Sequence, residues 1–459
     1  MEADTQTKTS AKADELEHVS RPVGGTEHSW CRSVPGGTGT TVLLLLLSKP
    51  IPVSFLQSAL YTLQINHPIL RSHLSFPQDS PPIFSIPPSP SFSINTKSLS
   101  SPFHSLLELE LNENPWSDPN PDETVPVFFA TIYESPKLDE SVLALKFHTA
   151  ACDRTSAASI VMELMDLMAR EGTEGKGGID EVAIKAGIED LVPKKDTYKP
   201  FWTRGKDLLG YSLNGLRSCT LQFEDTDAVR RTEVIRLVFT KEETEILLSE
   251  CKERGVKLCG AISGAALVVA RSSKQLVAGQ SETYSVVTLT DCRKSLEPPL
   301  DKHNTGFYYS AITNTHTITG GEGLWELAKR CHDSYSDSIS NRKHLRDLSD
   351  LNYLMCKAIE NPHLTTASSL RTALISVFEE PVLYNSCDVQ TSLGVEDYVG
   401  CASTHGVGPS IGVFDTIRDG QLDCAFVYPA PLHSREQMKN IVNNIKSVLL
   451  EGCIHVDLD

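Results

Sequence analysis

The apolar residues of this chain fall into runs of two alternating kinds. From Val42 to Leu47 six apolar residues follow one another, the mark of a strand buried on both faces. From Val53 to Asn66 they return at helical spacing, with Leu56, Ala59, Leu60 and Leu63 at i, i+3, i+4 and i+7. His67-Pro68 ends that helix, because the residue before a proline avoids the helical region. Pro77 to Pro90 reads as irregular loop with short edge strands. Pro126 to Tyr133 and Ser141 to Phe147 predict strands. The second is nearly all apolar and so central in its sheet. A helix over Ser156 to Ala169 follows, with Val161, Leu164, Met165 and Met168 turned inward.

The second half repeats the alternation. Val234 to Phe239 predicts a strand, and Thr240 with Glu243 forms a capping box for the next helix. Gly260 to Ala270 reads as an apolar helix and Tyr284 to Thr290 as a strand. In the helix Leu324 to Ile339, Leu324, Leu327, Ala328, Cys331 and Tyr335 share a face. Ala373 to Phe378, Pro409 to Phe414 and Leu422 to Tyr428 predict strands, the last two joined at Asp419-Gly420. Ser434 and Gln437 cap the final helix. Strand-helix alternation in both halves predicts an α/β protein of two lobes.

Four ranges follow: 1–19 a disordered tail, 20–170 a first lobe, 171–230 a linker and crossover, and 231–459 a second lobe. The linker assignment rests on Gly172, Gly175, Gly177 and Gly178, followed by Pro193, Lys194, Lys195 and Pro200. That glycine cluster lacks both the preceding strand and the Gly-Lys-Ser/Thr ending of a phosphate loop.

Composition narrows the function. Of the 459 residues, 42 are Lys or Arg and 59 are Asp or Glu, a formal net charge of −17. An acidic chain argues against nucleic acid, whose phosphates need a basic face. The longest apolar run is far short of the roughly 20 residues of a membrane span. The first residues lack the apolar core of a signal peptide. The twelve cysteines are scattered, without Cys-x-x-Cys, and read as reduced thiols in a cytoplasmic protein. No histidine pair has metal-ligand spacing, so no metal is expected.

The candidate chemistry sits after the central strand, at His148-Thr149-Ala150-Ala151-Cys152-Asp153-Arg154. The end of such a strand is where α/β sheets meet their ligands. An imidazole there can act as general base. The plain alternative is a half-buried histidine bonded to backbone, with Asp153 as a helix cap.

The order of short segments resembles the CoA-dependent acyltransferase superfamily, in its condensation-domain and alcohol acetyltransferase branch. Arg21-Pro22-Val23-Gly24-Gly25-Thr26-Glu27 is similar to its chain start. Ala59-Leu60 through His67-Pro68-Ile69-Leu70-Arg71 is similar to its AL..L...HP.LR segment. The residues His148 to Arg154 stand where it carries HHxxxDG. Asp291-Cys292-Arg293 with Pro298-Pro299 resembles its (D/N)LR..L.PP element, and Thr391-Ser392-Leu393-Gly394 its SNLG strand. The resemblance covers about residues 20 to 452. It implies two chloramphenicol-acetyltransferase-like lobes forming a pseudo-dimer, with a tunnel between them. It implies acyl transfer from acyl-CoA, a co-substrate rather than a bound cofactor, to a hydroxyl or amine of a small-molecule acceptor in specialised metabolism. A monomer suffices for such a site. By the same resemblance Asp153 bridges structurally to Arg293. The first hypothesis for the chemistry takes His148 as the base, with Thr391 or Ser392 helping the oxyanion and Thr149, Cys152, Arg154 and Ser410 as further substrate or oxyanion contacts. The plant BAHD branch fits less well, since Asp397-Tyr398-Val399-Gly400 is a poor match to its DFGWG.

Two departures bear on the mechanism. Counted back from Asp153, the family's catalytic second histidine falls on Thr149, and the glycine after the aspartate is Arg154. A one-residue shift in extended backbone reverses the side on which a side chain points. Either the turn holds an extra residue that presents His148, or the usual base is absent. The second case leaves a binding or scaffold protein, or a different reaction in the same tunnel. Arg154 is suited to a carboxylate or phosphate, or to pairing with an acid. Cys152 inside the motif is either an acyl-accepting thiolate or a small buried hydrophobe.

Gly408-Pro409-Ser410-Ile411-Gly412 fits the Gly-x-Ser-x-Gly elbow of serine hydrolases. An elbow needs a helix after the serine, whereas Val413 to Tyr428 predicts strand, turn, strand. Ser410 is therefore expected in a strand near the tunnel, beside His405.

Overall fold

The computed structural model describes residues 19–454 except 79, 121, 136–139, 170–185, 275, 278, 362–368 and 386–387. The N-terminal tail and the glycine cluster of the expected linker lie outside the described residues.

The first sheet has five strands in the order Val395–Thr404, Thr38–Leu47, Ser141–His148, Phe128–Glu134, Asn95–Ser98. Its centre is the pair read from the apolar runs, antiparallel with Thr40 opposite His148 and Leu44 opposite Ala144. Alternation sorts the side chains of Thr38–Leu47. Leu43, Leu45 and Leu47 pack against Leu56, Leu60 and Leu63 of the helix Val53–Asn66 and against Ile160, Val161 and Leu164 of Arg154–Ala169. Each fully buried leucine contributes about 1.5–3 kcal/mol. Val42 and Leu44 point the other way, to Leu106, Leu107 and Leu111 of the helix Phe103–Asn112 and to Ala425 and Val427 of the second sheet. The two lobes thus meet through an apolar seam.

The main path of the second sheet runs Tyr309–Ile318, Glu282–Asp291, Arg371–Phe378, Gly408–Arg418, Gln421–Ala430, Arg231–Val238, and Val382–Tyr384 pairs with Gly408–Arg418. The helices Leu258–Ser272, Leu324–Ser340 and Arg435–Glu451 contribute to its core. Thr240 accepts from Glu243 N, and Ser434 from Gln437 N, so both caps form. No single described helix is long and apolar enough to cross a membrane. Only Lys241–Glu253 and Leu258–Ser272 taken together pass such a test, bent by 100°, and most of the second is buried in the core.

Three features differ from the sequence reading. Val395–Thr404 lies in the half assigned to the second lobe, yet it pairs antiparallel with Thr38–Leu47 and forms an edge of the first sheet. Only three residues, 405–407, separate it from Gly408–Arg418 in the second sheet, so the chain turns from one sheet to the other there. Phe201–Arg217 is a helix inside the stretch read as linker. Thr391 to Gly394 is not a strand. It is the end of the helix Asp388–Leu393, closed by Gly394 at φ +74°.

Candidate functional site

A cavity of about 1000 Å³, the solvent at its mouth included, opens where the sheets meet. Thr38, Gly39 and Thr41 reach it from one strand, Ser376 and Phe378 from another, and Thr149 and Cys152 from the loop after His148. Trp30, Phe307, Tyr309 and Phe414 complete apolar walls.

His148 does not line it. Strand alternation puts Lys146 and His148 on one face and Phe147 on the other, where it stacks on Phe128 at 4.8 Å between ring centroids. The His148 ring is fully buried and meets the Trp116 indole edge to face, centroids 5.1 Å apart and planes at 87°. Ala150 N donates to His148 Nδ1 at 3.2 Å, which puts the ring proton on Nε2. Nε2 has no hydrogen-bond partner among the described residues. Desolvation lowers the pKa from 6.5 to about 3. His148 as general base is therefore corrected: it points away from the cavity and resists protonation. The turn holds no extra residue that would present it.

Thr149 takes the cavity position instead. Its Oγ1 donates to Gly39 O at 2.5 Å and lies 2.9 Å from Thr41 Oγ1. A threonine hydroxyl accepts no proton from an alcohol or ammonium at neutral pH, so these contacts make a polar patch and not a base.

Asp153 and Arg293 form a buried ion pair between the lobes, with Nη2 2.8 Å from Oδ2 and 3.0 Å from Oδ1. Ser156 N and Tyr308 N each donate to the same carboxylate at 2.8 Å. Burial works to lower the Arg293 pKa, but Asp153 and Asp291 outweigh it and raise it. The pair fixes the motif loop against the second lobe. Arg154 is taken up in the same direction, with Nη2 3.0 Å from Asp415 Oδ1 and its guanidinium 4.1 Å from the Phe378 ring centre. It is already paired with an acid.

Cys152 lines the cavity, but burial first, then Asp153, push its pKa well up. It is a neutral thiol, the small-hydrophobe alternative, and not a thiolate nucleophile. Thr391 and Ser392 are exposed on their helix and absent from the lining. Ser392 Oγ donates to Val389 O at 2.7 Å. The oxyanion role for this pair is corrected, because the segment is helical and lies away from the cavity. Ser410 is fully buried in Gly408–Arg418. Its neighbours Pro409 and Gly412 line the cavity and it does not. The strand-turn-strand geometry after it removes the hydrolase elbow. His405 holds Thr232 Oγ1 with Nδ1 at 2.8 Å, and burial lowers its pKa to about 4. Among the described residues no group of three or more His, Cys, Asp or Glu gathers as a metal site would need.

Sequence reasoning missed the aromatic walls and the lining residues Thr38 and Thr404. The run Gly306-Phe307-Tyr308-Tyr309 was a usable signal for the walls. Nothing in the sequence pointed to the register that sets Thr404 opposite Thr38.

Residues 228–369 match the family described as phthiocerol/phthiodiolone dimycocerosyl transferase C-terminus. No protein of curated function matches this sequence. Among solved structures, the chain is similar to the TRI3 trichothecene 15-O-acetyltransferase of Fusarium sporotrichioides, at 13% identity and a TM-score of 0.72, covering 95% of each chain. It is similar to polyketide synthase associated protein 5 of Mycobacterium tuberculosis, at 17% identity and a TM-score of 0.67, over 95% of this chain and 99% of that one. It is also similar to the EpoB cyclization-docking bidomain of Sorangium cellulosum, at 14% identity and a TM-score of 0.67, over 95% and 85%.

Proposed function

We propose that this chain, which has the two-lobed fold of condensation-domain and chloramphenicol-acetyltransferase-like acyltransferases, holds a small, largely apolar molecule in the inter-lobe cavity and does not perform histidine-dependent acyl transfer. One observation carries this reading: Thr149 lines the cavity while His148 is buried against Trp116. A general base contributes about 10² to 10⁴ in rate. Without one, the site retains binding and positioning. Aromatic walls with a few polar groups suit a ligand pocket. The fold does not set the reaction: it is shared by an acetyltransferase and a cyclization bidomain.

A second reading is acyl transfer with no side-chain base, from acyl-CoA as co-substrate to a small-molecule acceptor. The intact Asp153–Arg293 pair favours it, because it keeps the motif loop in place between the lobes. An amine acceptor suits it better than an alcohol, since a neutral amine attacks a thioester without first losing a proton.

Calorimetric titration with acetyl-, butyryl- and octanoyl-CoA, followed by a free-thiol assay with amine and alcohol acceptors, separates the two. Ser376 lines the cavity from the central strand Arg371–Phe378. The expected result is saturable binding of the longest chain, its loss in Ser376→Phe, and no thiol release. Thiol release above background overturns the binding reading in favour of base-free transfer.

A further inference from the structure

The helix Phe201–Arg217 turns its polar side to the protein and apolar residues to the solvent. Arg204, Asp207 and Tyr211 follow one another at i, i+3 and i+7, and all three are tied down. Arg204 Nε donates to Asp350 Oδ1 at 2.8 Å. Lys199 Nζ bridges Asp207, Asp347 and Asp350 at 2.7 Å each, and the Tyr211 hydroxyl donates to Asp347. Trp202, Lys206 and Leu209, at i, i+4 and i+7, share the opposite side, and all are exposed. Trp202 is 85% exposed, Leu209 62%, and Tyr198, four residues before Trp202, 79%. Trp202 and Tyr198 are the two most exposed aromatic residues among the described ones. A lone surface leucine is ordinary, but an indole, a phenol and a leucine gathered on one exposed segment mark a contact surface.

The same surface is cationic. Residues 194–211 and 342–350 hold eight Lys or Arg against four Asp and no Glu, in a chain whose formal net charge is −17. The two segments pack together: Arg342 Nε donates to Asp196 Oδ2 at 2.6 Å, and Lys199 Nζ to Asp347 Oδ1 at 2.7 Å. The side chains of Asp196, Asp347 and Asp350 are buried, while Arg204, Lys343 and Arg346 are half-exposed around them. The acids thus lie beneath and the cations outside. Lys194, Lys195 and Lys206 are exposed and make no ion pair among the described residues.

We propose that this face docks the protein on an anionic lipid bilayer, with Tyr198, Trp202 and Leu209 entering the headgroup layer and Lys194, Lys195 and Lys206 against the lipid charges. Tryptophan and tyrosine settle at that layer because each has an apolar ring and one polar atom that stays wet. A helix lying in the plane of the surface buries its apolar side a few ångströms deep, and lysines beside it add attraction to anionic headgroups. Nucleic acid would use the cations and stack on the aromatic rings, but offers Leu209 no apolar partner. The contact is with the membrane surface and is not a span.

Co-sedimentation of the full chain with vesicles tests the surface. Equimolar phosphatidylcholine and phosphatidylserine should bind it about tenfold or more tighter than phosphatidylcholine alone, and added salt should weaken the binding. Replacing Lys194, Lys195 and Lys206 together by Gln should weaken binding to the anionic vesicles about 100-fold, and Trp202→Ser with Leu209→Ser about tenfold. All five positions are exposed, so both variants should keep the Tm of the unsubstituted protein. Equal binding of the two vesicle types overturns the anionic assignment, and binding of neither overturns the docking surface. Binding that survives both sets of substitutions overturns the role given to this helix. A single-stranded oligonucleotide held more tightly than the anionic vesicles overturns the lipid assignment in favour of nucleic acid.

Discussion

The His148 ring stands edge-on to the Trp116 indole, 5.1 Å between centroids, on the face of its strand that turns away from the inter-lobe cavity. Trp116 is itself fixed, since its Nε1 donates to Pro126 O at 2.9 Å. The histidine is thus a packing residue, and its titration belongs to stability.

That assignment has a pH signature. The folded-state pKa is about 3 against an ordinary 6.5, so unfolded chains bind the proton first as pH falls. Stability from this residue is complete above pH 6.5 and is lost progressively below it. One such group changes stability by about 1.4 kcal/mol per pH unit. Urea denaturation between pH 6.5 and 5 should show His148→Phe losing about 2 kcal/mol less than the unsubstituted protein. Parallel stability curves would place His148 in contact with solvent.

Asp153 holds Arg293 across the lobe boundary. Asp153→Ala leaves a buried guanidinium with only Asp291 as acid partner, and should destabilise the protein by about 3–5 kcal/mol. Chemical denaturation reads this directly. A loss under 1 kcal/mol would mean that the pair does not organise the motif loop.

Cys152 is buried and neutral, whereas Cys219 and Cys356 are partly exposed. Iodoacetamide at pH 8, read by peptide mass spectrometry, should label the latter two and leave Cys152 unmodified in the native protein. Rapid labelling of Cys152 would restore it as a thiolate.

Gly37 has φ +96°, and a β-carbon on it would come 2.0 Å from His405 Nε2. Gly37→Ala should therefore cost at least the roughly 1–3 kcal/mol of a strained backbone, seen as a lowered Tm. An unchanged Tm would show that the turn between the sheets yields easily.

Most of the scaffold was legible in the sequence because periodicity reports one element at a time. Leu56, Ala59, Leu60 and Leu63 gave the helix Val53–Asn66, and the Thr240–Glu243 box gave a helix start. The bridging strand Val395–Thr404 escaped notice. Its Glu396, Asp397, Gly400 and Thr404 break the apolar pattern, and its partner strand lies over 340 residues earlier. The site was half legible. Counting back from Asp153 located the motif and exposed the one-residue shift. Which of His148 and Thr149 faces the cavity depends on the register between Thr38–Leu47 and Ser141–His148, which sequence spacing does not fix. Thr38 and Thr404 reach the cavity wall from distant segments paired in one sheet, and no local pattern links them.

The central claim is that no histidine base serves this cavity. Its most direct test is free-thiol release from an acyl-CoA panel, with hydroxyl and amine acceptors, by the unsubstituted protein and by folded His148→Phe. The account predicts the same rate for both proteins. A rate above background in the unsubstituted protein that falls about 10² to 10⁴-fold in His148→Phe would contradict it.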